Sequence, residues 1–149
     1  MSRREFLIAG GVVAGALGLR LTSARATPDE AQESIRKLTG SAAINQGRVT
    51  LELPPLVENG NTVPLKISVA SPMTPADHVK AIHVLAAKNP QPNVAVFHFG
   101  PRAGRASVET RIRLADSQTV VAICEMSDGS FWSGSAESVV TIAACVETE

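Results

Sequence analysis

Two cysteines, Cys124 and Cys145, are the side chains of this sequence best suited to covalent chemistry. Cys124 stands within an apolar run in which Val120, Ala122 and Met126 share its face, a pattern that favours a buried structural thiol. Cys145 follows the last strand-like run, and a thiol near a chain end can reach other proteins without a pocket of its own. That position suits a carrier of covalently held groups. The alternatives are a stray thiol or a disulfide with Cys124, which requires Cα atoms about 4.4–6.8 Å apart.

A metal centre is the second chemistry that the residue types allow. His83 and His98 fall on neighbouring predicted strands, and Met73 and Met126 offer thioether sulfur, which together suggest copper. No two of these residues show a metal-ligand spacing, so ordinary strand and loop residues are the simpler interpretation. No local Ser/His/Asp motif, phosphate-binding glycine loop or paired carboxylates indicate an enzyme, and no bound cofactor is expected.

The first 26 residues have the pattern of an export signal. Arg3 and Arg4 precede an almost uncharged run to Leu19, which is shorter than the ~20 residues of a transmembrane helix. The adjacent arginines followed by x-Phe-Leu match the twin-arginine signature, and Ala24-Arg25-Ala26 is a small-x-small cleavage site. The sequence therefore predicts a twin-arginine signal peptide over residues 1–26 and a periplasmic mature chain that starts at Thr27. A secretory signal of the general type and a retained anchor are the alternatives.

Removal of the signal makes the chain acidic. It takes away four of 14 basic residues and one of 14 acidic ones, which leaves 10 and 13 and a formal charge of −3. No basic patch is evident in the sequence, so neither nucleic acid nor, after signal cleavage, a membrane is an expected partner. The 123 remaining residues suffice for one domain with one core.

The mature chain is predicted to be all-β with one short helix at its start. Pro28 stands at a first helical position, apolar residues follow at helical spacing, and Gly40 stops the helix. Seven or eight short alternating runs follow with turns every 8–12 residues, and the segment 127–130 is a hairpin signal. This spacing predicts an immunoglobulin-like sandwich over residues 27–142 and a cysteine-bearing C-terminal arm over 143–149.

Seven short segments are distributed over nearly the whole mature chain in a characteristic order. The segments are Glu58-Asn59-Gly60-Asn61-Thr62-Val63-Pro64, Ser71-Pro72-Met73-Thr74, His78-Val79-Lys80-Ala81-Ile82-His83, Lys88-Asn89-Pro90, Phe97-His98-Phe99, Arg111-Ile112-Arg113-Leu114-Ala115 and Glu125-Met126-Ser127-Asp128-Gly129-Ser130-Phe131-Trp132. In their order and spacing these segments resemble the SoxY family, the sulfur-carrier subunits of the bacterial thiosulfate-oxidising Sox system. None of the segments is specific alone.

The resemblance implies an immunoglobulin-like sandwich paired with a second sandwich subunit, SoxZ. In the family, a cysteine on a C-terminal arm accepts thiosulfate as a cysteine S-thiosulfonate. A haem-containing oxidase loads the cysteine, a hydrolase releases sulfate, and a further oxidase acts on the remaining persulfide sulfur. The corresponding residue here is Cys145. The resemblance thus implies a carrier on which partner enzymes act, and not a catalyst.

The residues around Cys145 depart from the family pattern, which is Gly-Gly-Cys-Gly-Gly. Here the neighbours are Ala143, Ala144, Val146 and Glu147. Alanine and β-branched valine restrict the backbone where glycine leaves it free. Acidic side chains near a thiol disfavour the reactive thiolate. The altered tail motivates a second hypothesis, a non-carrier interaction subunit of a SoxYZ-like complex with a degenerate tail.

Overall fold

The described part of the chain begins with one short helix, as the sequence predicts. The computed structural model describes residues 28–143, and helix α1 (Pro28–Thr39) opens this range. Carboxylates in its first turn and basic side chains in its last turn complement the helix dipole. Gly40 then takes a φ of 58°, and its N–H donates to the Arg36 carbonyl at 2.9 Å, which ends the helix. The predicted signal peptide over 1–26 and Cys145 both lie outside the described residues.

Nine strands follow α1 in the described part of the chain and form two sheets. The larger sheet has the order β1-β9-β8-β5-β6, with β3 also paired to β9, and the smaller has the order β2-β4-β7. The two sheets pack face to face, which confirms the predicted sandwich. The strands are β1 (Ile44–Gln46), β2 (Val49–Glu52), β3 (Leu56–Asn59), β4 (Val63–Val69), β5 (Val79–Ala86), β6 (Asn93–His98), β7 (Ala106–Ile112), β8 (Gln118–Met126) and β9 (Phe131–Ile142).

Strand β9 organises the larger sheet because three other strands pair with it. It runs antiparallel to β8 from Phe131 to Ser138. On its other edge, β1 pairs parallel to its first residues and β3 pairs parallel to its last ones, from Val139 to Ile142. The hairpin at 127–130 is confirmed, and the strand that follows it is continuous over 12 residues.

The main core lies between the two sheets. Strand β4 alternates, with Val63, Leu65, Ile67 and Val69 buried and the residues between them facing outward. The central strands of the larger sheet meet this face with side chains such as Ile82, which is fully buried. Burial of each such side chain contributes about 1.5–3 kcal/mol to the free energy of unfolding. Because the chain has few aromatic residues, most of this contribution comes from aliphatic side chains.

A second apolar cluster holds α1 against the outer face of the larger sheet. Leu85, Ile123 and Phe131 form its buried centre, and Ile35 and Leu38 of the helix pack on them. The middle of the sheet is therefore covered on both faces. No helix among residues 28–143 is long and apolar enough to cross a bilayer.

Gly134 marks a close approach of the two sheets. A Cβ atom placed there would lie 2.5 Å from the backbone oxygen of Val49 in the facing sheet. We expect Gly134→Ala to lower the free energy of unfolding by about 2–3 kcal/mol, because the sheets must separate to admit the methyl group. Chemical denaturation measures this effect. Gly100→Ala is the matched control, because Gly100 has open space around it, and a similar loss in both variants would contradict the prediction.

Candidate functional site

The end of β9 is the part of the described structure that leads to Cys145. The N–H of Gly60 donates to the carbonyl of Ile142 at 2.8 Å, and the Thr141 hydroxyl donates to the Glu58 carbonyl at 3.0 Å. The chain is therefore held by hydrogen bonds up to Ile142, and Cys145 stands three residues further along the sequence. The side chain of Cys145 lies outside the described residues, so its predicted role stays a prediction.

Two serines fix the same end of β9 to neighbouring loops. The backbone N–H of Val140 donates to Ser117 Oγ at 2.9 Å, and the hydroxyl of Ser117 reaches the Val140 carbonyl at 3.4 Å. Ser138 is fully buried, and its hydroxyl donates to the Pro54 carbonyl at 2.7 Å. Hydrogen bonds from both sides thus hold the last part of β9, just before residues 143–149, which we call the cysteine segment because they contain Cys145.

Asn89 organises the loop that carries Ser117. Its amide nitrogen donates to the Arg113 carbonyl at 2.8 Å, and its amide oxygen accepts from the Ala115 N–H at 2.9 Å and from Gln118 Nε2 at 3.0 Å. Gln118 in turn accepts from the Lys88 N–H at 2.8 Å. Because Asn89 is buried, water does not replace these bonds. The Lys88-Asn89-Pro90 segment therefore has a structural role that the sequence alone did not reveal.

The base of the cysteine segment is unusually apolar on its surface. Leu56 is 62% exposed, Val139 is 47% exposed and Ile142 is 64% exposed. Leu56 and Val139 are register partners in the parallel β3–β9 pair, so they lie side by side. These side chains line the point at which the chain leaves the sandwich.

Cys124 is a core residue, as the alternation of its strand predicts. It is fully buried, and its thiol contacts the sulfur of Met126 at 3.6 Å. Burial raises the pKa of the Cys124 thiol to about 12, because a thiolate would have no water around it. The reactive form is therefore essentially absent near neutral pH, and Cys124 is unsuited to receive a sulfur group.

A thiol titration separates the two cysteines. We expect the folded, reduced mature protein to react with a disulfide reagent at one thiol, Cys145, and the second thiol to react only after unfolding in denaturant. The raised pKa and zero exposure of Cys124 are the reason. Peptide mapping of the labelled protein identifies the modified cysteine. Fast modification of Cys124 in the folded chain would contradict this account.

The metal site suggested by the residue types is not assembled in the described structure. His83 pairs with Val96 and His98 pairs with Ala81, so the two histidines are diagonal neighbours on the outer face of the larger sheet. Met126 instead lies in the core between the sheets. Successive residues of a strand point to opposite faces, so the sheet separates the thioether from the imidazoles.

The remaining candidate ligands do not alter this conclusion. Met73 is also part of the core between the sheets. Burial lowers the pKa of His83, so its neutral form is favoured. Within residues 28–143, no three His, Cys, Asp or Glu side chains converge in a metal-binding arrangement.

Two exposed arginines, Arg111 and Arg113, were not identified from the sequence as a possible binding feature of the surface. Arg111, in β7, and Arg113, just after it, alternate with buried residues and line a groove beside the edge strand β6. The sequence signal was the i, i+2 spacing of two cations on one strand. Net charge concealed it, because the mature chain is acidic as a whole.

Comparison with solved structures supports the fold. SoxY from Chlorobium limicola, described as a sulfur carrier protein, superposes with a TM-score of 0.61 and 25% identity over 72% of this chain and 89% of that one. A superoxide reductase (neelaredoxin) from Ignicoccus hospitalis gives a TM-score of 0.57 and 19% identity over 77% of this chain and 94% of that one. A putative superoxide reductase from Thermotoga maritima gives 0.54 and 21%, over 65% and 93%. The reductases show the shared sandwich alone.

Comparison at the level of sequence identifies the family. A search of curated proteins found no match. The profile of the family described as sulfur oxidation protein SoxY matches residues 35–145, which spans the sandwich from α1 through β9 and reaches Cys145. Together with the SoxY structure, this match over most of the sequence shows that the chain belongs to the SoxY family.

Proposed function

We propose that this protein is a covalent carrier of sulfur intermediates in thiosulfate or sulfur oxidation and that Cys145 is the attachment site. The observation that carries the proposal is the SoxY family match, which continues through residue 145. The other cysteine, Cys124, is buried with a raised pKa, so Cys145 is the candidate left for attachment. The end of β9 supports this role, because it is clamped up to Ile142, three residues before the cysteine.

The chemistry required of Cys145 is that of a nucleophilic thiol. In loading, its sulfur forms a bond to the outer sulfur of thiosulfate, and one thiol proton and two electrons are released. A haem-containing partner oxidase accepts the electrons. Water then attacks the sulfonate sulfur and breaks its bond to the neighbouring sulfur, in a step that a partner hydrolase catalyses. Sulfate is released, and a persulfide stays on the cysteine. The protein carries these adducts and is itself not the catalyst.

The proposal places the protein outside the cytoplasm with a partner subunit. Membership of the SoxY family implies a SoxZ partner, which we propose pairs with this sandwich. The twin-arginine pattern in residues 1–26 would export the folded chain and, with it, a bound subunit that has no signal of its own. The mature chain is then a periplasmic component of a sulfur-oxidising system.

Intact-mass analysis and peptide mapping test the carrier role. The mature protein, purified without reductant from cells oxidising thiosulfate, should carry a thiosulfonate or persulfide mass on the peptide that contains Cys145. A reductant should remove the added mass, because a sulfur–sulfur bond joins the carried group to the cysteine in both adducts.

The control is a variant with glycine at 143, 144, 146 and 147, which restores the family pattern. Adducts on both proteins support carriage despite the altered tail. An adduct on the glycine variant combined with a bare Cys145 in the natural sequence would refute the proposal. That result would favour the non-carrier interaction subunit instead.

A further inference from the structure

A groove runs between the edge strands β6 and β7, where the two sheets open. Val94, Ala95 and Phe97 of β6 form an apolar floor that is partly exposed. Arg111 of β7 and Arg113, one residue beyond the end of β7, stand on its rim, and both side chains are exposed. An apolar floor beside two cations suits an occupant that has a small hydrophobic part and negative charge.

The two arginines lack protein partners in the part of the chain that the structure describes. Neighbouring basic residues are paired, with Lys66 Nζ 3.7 Å from Glu109 and Lys88 Nζ 3.6 Å from Asp116. Neither Arg111 nor Arg113 has an ion pair or a side-chain hydrogen bond with residues 28–143. Two guanidinium groups are therefore available to bind carboxylates at the rim.

The segment after Ala143 starts close to this rim. The N–H of Gly60 binds the carbonyl of Ile142 at 2.8 Å, and the carbonyl of Gly60 accepts from the Leu114 N–H at 2.8 Å. One residue thus links the end of β9 to the residue that follows Arg113. An extended chain advances about 3.3 Å per residue, so Glu147 reaches roughly 13 Å and Glu149 roughly 20 Å from Ala143.

We propose that the segment 144–149 docks in this groove of its own molecule, with Glu147 and Glu149 bound to Arg111 and Arg113. Its starting point lies near the residue that follows Arg113, and its two glutamate carboxylates match the two unpaired cations. Val146 between Cys145 and Glu147 is an apolar residue for the floor. Exposed ion pairs are individually weak, so the docked state is reversible and sensitive to salt.

Docking changes the electrostatics around Cys145. Free carboxylates beside the thiol repel an incoming anion and disfavour the thiolate. When arginines bind those carboxylates, this obstacle is reduced. The docking itself is independent of the carrier role, so the two can fail separately.

Paramagnetic NMR tests the docking. A nitroxide is attached to Cys145 of isotope-labelled mature protein. In low salt, it should broaden the amide signals of Val94–Phe97 and Thr110–Arg113 so that most of their intensity is lost. The buried Cys124 does not take the label. We expect these signals to recover at high salt and in the double variant Arg111→Glu, Arg113→Glu.

The matched control is the double variant Arg102→Glu, Arg105→Glu, which makes the same charge change in the β6–β7 connection at the opposite end of the groove. It should keep the signal loss. Loss confined to other residues, such as those around Leu56 and Val139, would overturn the proposal, as would no loss. Equal effects of both double variants would also overturn it. A mixture of spin-labelled and isotope-labelled chains should show no loss, because loss there would mean docking onto a second copy.

Discussion

Replacing Cys145 with serine should abolish sulfur loading and leave the sandwich intact. A serine hydroxyl cannot form the sulfur–sulfur bond on which carriage depends. We expect no adduct mass on the variant. We also expect no thiosulfate-dependent electron transfer above the background of a reconstituted system that contains the loading oxidase. The far-ultraviolet circular dichroism and the melting temperature should be unchanged, since residue 145 lies beyond the clamped end of β9.

Cys124→Ala is the control for the loss of a thiol as such. The substitution removes the Cys124 thiol, which contacts Met126 in the core. The small cavity that it leaves should lower the free energy of unfolding by roughly 1–2 kcal/mol. Activity should persist at temperatures where the variant is folded. Full activity of Cys145→Ser, or inactivity of a folded Cys124→Ala chain, would show that the attachment site has been assigned to the wrong residue.

Truncation of the Asn89 side chain should destabilise the fold by an amount that is large for a single polar side chain. Asn89→Ala deprives the Arg113 carbonyl, the Ala115 N–H and Gln118 Nε2 of a shared partner. Buried polar groups left unsatisfied cost about 1–3 kcal/mol each, and partial solvation reduces the sum. We expect about 3 kcal/mol of destabilisation and a melting temperature lower by about 10 °C.

The same variant should loosen the base of the cysteine segment. Ser117 lies in the loop that Asn89 holds and accepts from the Val140 N–H. Hydrogen exchange at Val140 should therefore become faster relative to core amides such as Ile82. Asn61→Ala is the control, since Asn61 is exposed and its side chain bonds only to Asn59 within residues 28–143. A change in Asn89→Ala no larger than in this control would refute the network's importance.

Local sequence signals predicted the parts of the fold that local interactions decide. The helix stop at Gly40, the hairpin at 127–130 and the alternation of β4 each depend on neighbouring residues, and the structure confirms all three. Strands β1 and β3 were not predicted. Each has three or four residues and exists through parallel pairing with β9, which is distant in sequence.

The candidate site shows the same division. The burial of Cys124 followed from the alternation along β8. Strand register decided the relation between the histidines and Met126, because His83 lies opposite Ile123 and so faces away from the core that contains Met126. A single sequence does not specify that register. The clamp formed by Ser117 likewise depends on a loop and a strand 23 residues apart.

The position of β9 links synthesis of the protein to the presence of its proposed attachment site. Of the described strands, β9 is made last, yet it provides the partner for β1, β3 and β8. Ribosomal synthesis proceeds from the N-terminus, so the larger sheet stays incomplete until residues 131–142 have been added. Cys145 follows three residues later. A chain that terminates before β9 is complete lacks both this strand and the cysteine. Such a chain would fail to fold and would be open to proteolysis. Most folded molecules would then contain the thiol.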